Sequence, residues 1–261
     1  KFNPSMPMLV FMALICADHN NTSSLKLLLK YSKSLLIKYR EDPDAFLIYS
    51  FMYFLDSKSK FIKRLDDYFI KSKLSSPIID AKFFPLNKNQ KNKFKLISKT
   101  KRETNSTANK EPLVHVIMTS YNSEETIHNS IVSVLNQSYK NIKLTIIDDK
   151  SSDKTSLIIK EIMKNDKRLS FMINKKNIGT YASKNKALHK YKNNTNFFTF
   201  HDSDDWMHPS RIKEHVKFHN ANQNCVMSFS NWLRMSDDDN LQTSMDGGHI
   251  IHQNPCSSFF K

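Results

Sequence analysis

From Pro112 onward the chain alternates short runs rich in β-branched and aromatic residues with longer stretches whose apolar residues recur at helical spacing. That alternation constrains the fold more than any other feature. The strand-like runs are Val114–Thr119, Lys143–Asp149, Leu169–Ile173, Phe197–His201 and Cys225–Leu233. Helical stretches lie between them at Glu124–Gln137, Ser152–Asn165, Tyr181–Tyr191 and Ser210–Asn220. In the first of these, Ile127, Ile131, Val134 and Leu135 form one stripe. Strands alternating with helices predict parallel βαβ units in a doubly wound, mostly parallel α/β sheet. Cys256–Phe260 reads as the start of a further strand, with Gly247-Gly248 as a turn before it.

In such sheets ligands bind beyond the carboxyl ends of the strands. Three of those ends carry chemistry here. The first gives Thr119-Ser120-Tyr121-Asn122 and then Glu124, the second Asp148-Asp149-Lys150-Ser151-Ser152-Asp153, the fourth Asp202-Ser203-Asp204-Asp205. The topology makes them neighbours. Carboxylates gathered in one place repel unless a cation sits among them. Oxygen-only ligands suit Mg²⁺ or Mn²⁺, which take one or two carboxylates together with substrate phosphates. The combination points to a nucleoside diphosphate ligand.

The glycine content says how that ligand is not held. The chain has three glycines, Gly179, Gly247 and Gly248. It therefore has no G-x-G-x-x-G turn, no phosphate loop of the G-x-x-x-x-G-K-[ST] type and no G-x-S-x-G elbow. The abundance of Lys, Asn, Ile, Phe and Tyr beside this shortage is the mark of an AT-rich coding sequence.

The first 110 residues have a different texture. Residues 6–75 read as three or four consecutive helices, with Leu25, Leu28, Leu29, Leu35 and Leu36 at helical spacing and Asp42-Pro43-Asp44 opening a new segment. From Ala81 to Arg102 there are eight basic residues and no acidic one. This suggests an all-α domain over 1–80, a basic linker over 81–111 and the α/β domain over 112–261. Of the net charge of +15, residues 1–110 contribute +12 and the rest +3. Such a surface suits an anionic membrane face or an acidic polymer, and it also suits plain solvation. A nucleic-acid partner is not expected, because no recognition motif and no regular aromatic interleaving accompany the lysines. Cys16, Cys225 and Cys256 are few and widely spaced, which fits a reducing compartment and neither a disulfide framework nor a zinc site. The longest apolar run, Met8 to Ala17, is shorter than the roughly 20 residues of a membrane span and reads as a buried helix.

Four blocks in order carry a resemblance: T-S-Y-N-x-E at Thr119–Glu124, I-D-D-x-S-x-D at Ile147–Asp153, N-x-G-x-x-x-x-K-N at Asn177–Asn185 and D-x-D-D at Asp202–Asp205. They resemble glycosyltransferase family 2, over about residues 112–261. The second half of the pattern also resembles bacterial capsule polymerases of the heparosan-synthase kind. The resemblance implies a GT-A-like fold and inverting transfer of a hexosyl or N-acetylhexosaminyl unit from a UDP-sugar donor to a saccharide acceptor. It implies a Mn²⁺ or Mg²⁺ cofactor held by Asp204, with Asp202 on the ribose or the metal shell. Thr119 and Tyr121 then fall where the family holds uracil, and a tyrosine ring can stack on a base; Asn122 is expected among the donor-binding residues. Asp149 is expected to accept the uracil N3–H, ahead of Asp148. Lys184 is expected to neutralise the diphosphate, and Gly179 to let its loop pass close to the nucleotide. The general base of the family comes from an acidic residue in the acceptor-binding half, so it is expected beyond Lys261, with the acceptor half truncated. The implied setting is the cytoplasm, at the inner face of the plasma membrane.

Several residues have a plainer reading. Asp148, Asp149 and Asp153 suit caps of the following helix, and Glu124 suits a helix-start acid. His201, His208, His215 and His219 tempt a metal reading; His215 and His219, one helical turn apart without a nearby acidic partner, are expected at the surface. Asp237-Asp238-Asp239-Asn240 reads as an exposed turn, and Trp206 and Trp232 suit either core or sugar pocket. A second class of function, a non-catalytic nucleotide-sugar-binding or scaffold module with a helical docking domain, remains beside the enzyme.

Overall fold

The computed structural model describes residues 111–233 and 251–261, with short pieces at 23–24, 63, 67, 70–71, 78–79 and 96–97. The expected helical domain over 1–80 and the linker over 81–111 lie almost wholly outside the described residues. So do the Asp237–Asn240 turn, Gly247-Gly248 and the side chain of Trp232. The chain divides into two compact units, 1–97 with 232–252 and 98–231 with 253–261. In the first, Ile78–Ile79 pairs antiparallel with Leu96–Ile97.

The second unit is built on β1 (Val114–Ser120), α1 (Ile127–Leu135), β2 (Ile142–Asp148), α2 (Thr155–Met163), β3 (Leu169–Ile173), α3 (Thr180–Tyr191), β4 (Phe197–Asp202), α4 (Arg211–Ala221), β5 (Met227–Leu233) and β6 (Ile251–Phe260). The six strands form one sheet in the order β3-β2-β1-β4-β6-β5. β1 runs parallel to both β2 and β4, and β2 parallel to β3. β6 joins β4 antiparallel, with Phe198 opposite Phe260 and Thr199 opposite Phe259. The sheet is thus mixed, with a parallel half where the sequence places the acidic strand ends.

Every residue of β1 is buried, and in β2 only Lys143 is exposed. A central parallel strand covered on both faces needs apolar residues pointing both ways, and VHVIMTS and IKLTIID are rich enough in them, with His115 and Thr145 as bonded polar exceptions. One face packs Val116, Met118, Leu144 and Ile146 against Ile127, Ile131 and Val134 of α1, Ile159 of α2, and Ile212 and Val216 of α4. The other packs Ile117, Ile147 and Phe198 against Ala187 of α3. Helices on both faces make the sheet doubly wound.

The helices begin later than the apolar stripes suggest. The amides of Thr126 and Ile127 both bond the Ser123 carbonyl, so 123–126 is a turn and α1 starts at Ile127. Asp153 accepts the Thr155 amide at 3.0 Å and starts α2 there.

Two histidines are a correction. His215 and His219 are buried, not at the surface, and His201 is buried as well. Ile212, His215, Val216 and His219 share one face of α4, and that face lies on the sheet. Ser228 of β5 meets both rings, at 2.7 Å from His215 Nδ1 and 3.0 Å from His219 Nε2. His215 also stacks flat on Phe259 at 4.9 Å. Burial, then the charge of Arg211, pushes His215 down to about 3, so it is neutral.

His115, inside β1, is a buried polar residue that the strand tolerates because its Nε2 lies 2.7 Å from Thr145 Oγ1. Burial, with Lys143 adding to it, lowers its pKa from 6.5 to about 4. Between those values the unfolded chain takes a proton that the folded chain refuses. Stability at this group is therefore lost as pH falls from about 6.5 toward 4, by on the order of 3 kcal/mol. Urea denaturation at pH 7 and pH 4 checks this: the stability gap between wild type and His115→Gln shifts toward the variant by that amount at the lower pH.

Candidate functional site

The parallel register lines up the strand ends. Ser120 stands opposite Asp148, Thr119 opposite Asp202 and Asp148 opposite Ile173. The amide of Asp149 bonds the Ser120 carbonyl at 2.8 Å, which carries the pairing one residue past β2.

The loops at this edge are tied to one another. Two bonds tie Glu124 to the start of the next loop: the Glu124 amide donates to Asp153 Oδ2 at 3.0 Å, and the Lys154 amide donates to Glu124 Oε2 at 2.8 Å. Asn122 has φ +47, in the left-handed region that Asn tolerates. Its Oδ1 accepts the Ser152 amide at 2.9 Å. Asp148 is buried and accepts from the Ser151 hydroxyl and from Ser156 Oγ at 2.5 Å.

Asp149 is also buried, at 4% exposure. Its Oδ1 accepts from the Asn174 side-chain amide at 2.9 Å, the Ile178 amide at 2.9 Å and Ser183 Oγ at 3.4 Å. Its Oδ2 accepts from the Gly179 amide at 2.7 Å. Burial alone would push this carboxyl up. The donors of Ile178, Asn174, Gly179 and Ser183 outweigh it and hold the pKa below the ordinary value. The carboxylate therefore satisfies the backbone just before α3.

Gly179 occupies that junction at φ +84, ψ +160. A Cβ placed there meets nothing within 4 Å. The structural demand at this position is the backbone angle, which L side chains rarely adopt; it is not space. One residue on, Thr180 Oγ1 lies 2.6 Å from Thr119 Oγ1, joining α3 to β1.

Lys184 projects from the second turn of α3 and is 5% exposed. Its Nζ pairs with Asp202 Oδ1 at 2.8 Å and lies 5.2 Å from the centre of the Phe200 ring. The following loop is anchored to α1. Ser130 Oγ donates to the Asp202 carbonyl at 2.7 Å, the Met207 amide donates to Ser133 Oγ at 3.0 Å, and Gln137 Nε2 donates to the His208 carbonyl at 2.8 Å. Asp204 is exposed at the tip of this loop. Burial, with Asp204 and Asp202 alongside, pushes the Asp205 carboxyl up to about 7. Tyr121 stands 53% exposed beyond β1.

The structure thus joins Thr119 to Thr180, Asp149 to Gly179 and Lys184 to Asp202. Among the described residues no three His, Cys, Asp or Glu side chains form a cage for a metal. Asp202, whose Oδ1 already pairs with Lys184, and the exposed Asp204 offer oxygen donors alone, which fits a cation that completes its shell with phosphate oxygens.

The profile of Glycosyl transferase family 2 matches residues 115–255, more than half of the 261. The chain belongs to glycosyltransferase family 2. An uncharacterized glycosyltransferase of Haemophilus influenzae is 38% identical over 121 residues, 46% of this chain and 47% of that protein. The Escherichia coli UDP-Glc:alpha-D-GlcNAc-diphosphoundecaprenol beta-1,3-glucosyltransferase WfgD is 44% identical over 93 residues, 36% of this chain and 35% of that one. Among solved structures, S. aureus TarS 1-349 in complex with UDP-GlcNAc aligns at a TM-score of 0.44 and 24% identity, over 51% of this chain and 38% of that one. This family 2 chain spans about half or less of the length of the curated relatives named here.

Asn174, Ser183 and Lys186 belong to the same cluster and are not singled out by the family blocks. Asn174 had a signal in the sequence: it is the first residue after the third strand, the one strand end whose polar residue the acidic pattern passes over.

Since only the backbone angle resists a side chain at Gly179, Gly179→Ala should cost about 1–3 kcal/mol. A urea titration at neutral pH measures it. A loss under about 0.5 kcal/mol would mean that the junction relaxes to an ordinary angle.

Proposed function

We propose that this chain carries the donor-binding half of a metal-dependent inverting glycosyltransferase. It moves a hexosyl or N-acetylhexosaminyl unit from a UDP-sugar to a saccharide acceptor in bacterial surface polysaccharide synthesis. A capsule polymerase of the heparosan-synthase kind is the narrower form of this reading. The observation that carries it is the arrangement at one sheet edge: a pinned Asp149 carboxylate beside β1, and the Asp202–Asp204 carboxylates at the end of β4. Family membership supports the activity class. WfgD, whose name states UDP-Glc as donor and a lipid-diphosphate-linked sugar as acceptor, supports the donor and acceptor classes.

In this reading Tyr121 stacks on the base. Asp149 accepts the imide N–H through Oδ2, which holds a single donor and keeps accepting capacity. Asp202 and Asp204 hold Mn²⁺ or Mg²⁺, which when bound neutralises charge developing on the diphosphate. Lys184 adds its ammonium to that leaving group and stabilises it electrostatically. The acceptor hydroxyl oxygen forms the new bond to the anomeric carbon as the bond to the diphosphate oxygen breaks. UDP departs and the configuration inverts. The base that takes the hydroxyl proton is not assigned to any described residue.

The +12 of residues 1–110 supports a peripheral seat on the anionic inner face of the plasma membrane, at about 1 kcal/mol per basic residue near the surface. Among the described residues no helix is long and apolar enough to cross a membrane.

Thermal unfolding with ligand tests the donor site. UDP with Mn²⁺ at about 100 times Kd should add about 2.7 kcal/mol, raising Tm by roughly 5–10 °C. Asp204→Ala should abolish the shift. No shift with any nucleotide sinks the reading, and a shift without donor hydrolysis or transfer reduces it to a binding module.

A further inference from the structure

Asn174 is 2% exposed and follows β3 directly. Its backbone amide and both ends of its side-chain amide are engaged. Its backbone amide donates to the Asp148 carbonyl at 2.9 Å. Its side-chain Nδ2 donates to Asp149 Oδ1 at 2.9 Å and to Ser183 Oγ at 2.8 Å. Its Oδ1 accepts from Lys186 Nζ at 2.9 Å. Lys186 stands on the exposed side of α3.

The order of groups fixes the direction of each bond. An ammonium only donates and an ionised carboxylate only accepts. A primary amide between them can satisfy both in one orientation alone, oxygen toward Lys186 and nitrogen toward Asp149. Lys186 therefore sets which end of Asn174 faces the carboxylate. Asn174 in turn occupies Oδ1, together with Ile178 and Ser183, so that Oδ2, holding only the Gly179 amide, is the oxygen with capacity for one more donor.

We propose that Asn174, oriented by Lys186, is the positioning residue for base selection: it locks the Asp149 carboxylate so that one oxygen presents an acceptor to a nucleobase that carries an imide N–H. This rests on the reading that Asp149 meets the base. Uracil has a donor at N3 and cytosine has an acceptor there, so the locked carboxylate favours uracil and repels cytosine. A site built to bond a donor rejects the analogue lacking it by large factors. Without Asn174 the carboxylate can turn about its Cβ–Cγ bond and exchange its oxygens. The geometric part of the selectivity is then lost, while the diphosphate contacts are unchanged.

Equilibrium binding of UDP and of CDP, each with Mn²⁺, to the full chain tests this. The ratio of the two affinities cancels the shared ribose and diphosphate and any loss of folded protein. The wild type should prefer UDP by at least about 100-fold. Asn174→Ala should reduce that ratio at least about 10-fold, chiefly through weaker UDP binding. Lys186→Met changes an exposed side chain and leaves the fold in place. It should reduce the ratio in the same direction, by about threefold or more, because the amide is then free to flip. If Asn174→Ala does not fold, Lys186→Met decides alone. A UDP preference that persists unchanged in the folded variants overturns the role of Asn174 and leaves the base contact standing. A wild type with no preference for UDP over CDP overturns the base contact and this inference together.

Discussion

The Asp149 carboxylate is the interaction on which the site depends. It stands one residue past the end of β2 and collects the amides of Ile178 and Gly179, the two residues before α3. Those bonds fix where α3 begins and how it lies along the sheet. Thr180 is thereby set against Thr119, and Lys184, one turn later, against Asp202. A single buried charge with its donors satisfied thus relates the ends of β1, β2 and β4. The cost of burying the carboxylate is met by the hydrogen bonds, which is why it stays ionised.

Much of this was legible in the sequence, for a physical reason. Central parallel strands are covered on both faces, so Val114–Thr119 and Lys143–Asp149 read as short runs rich in β-branched and apolar residues and appear within a residue of their observed limits. The strand ends were legible because their polar residues break those runs abruptly. Helix starts were not, because Ser123–Thr126 and Ser152–Lys154 have helical-looking neighbours and are turned by specific bonds to Asp153 and to the Ser123 carbonyl.

The misreadings are as instructive. The surface expectation for His215 and His219 rests on the lack of an acidic partner near them in the sequence. Their spacing with Ile212 and Val216 is the ordinary i, i+3, i+4, i+7 stripe of a core-facing helix, and Ser228 supplies the partner that makes burial tolerable. The partner of Lys184 was invisible for another reason. Asp202 lies 18 residues away, and only the crossover of α3 over the sheet brings the two together. At Gly179 the structure adds a demand that the sequence does not display, a backbone angle that side chains rarely adopt.

The Lys184–Asp202 pair changes how the cluster meets solution. Read as a sequence, Asp202, Asp204 and Asp205 are a concentrated anion that would draw divalent ions from the surroundings. Folded, one of the three is already matched by a buried ammonium, and a second has its carboxyl pushed up toward neutrality. The field that a passing cation experiences is closer to that of one exposed aspartate, Asp204, than to that of three. In the proposed reading a free hydrated ion would gain little there, whereas a cation already escorted by phosphate oxygens would bring extra ligands that the described residues at this edge do not provide.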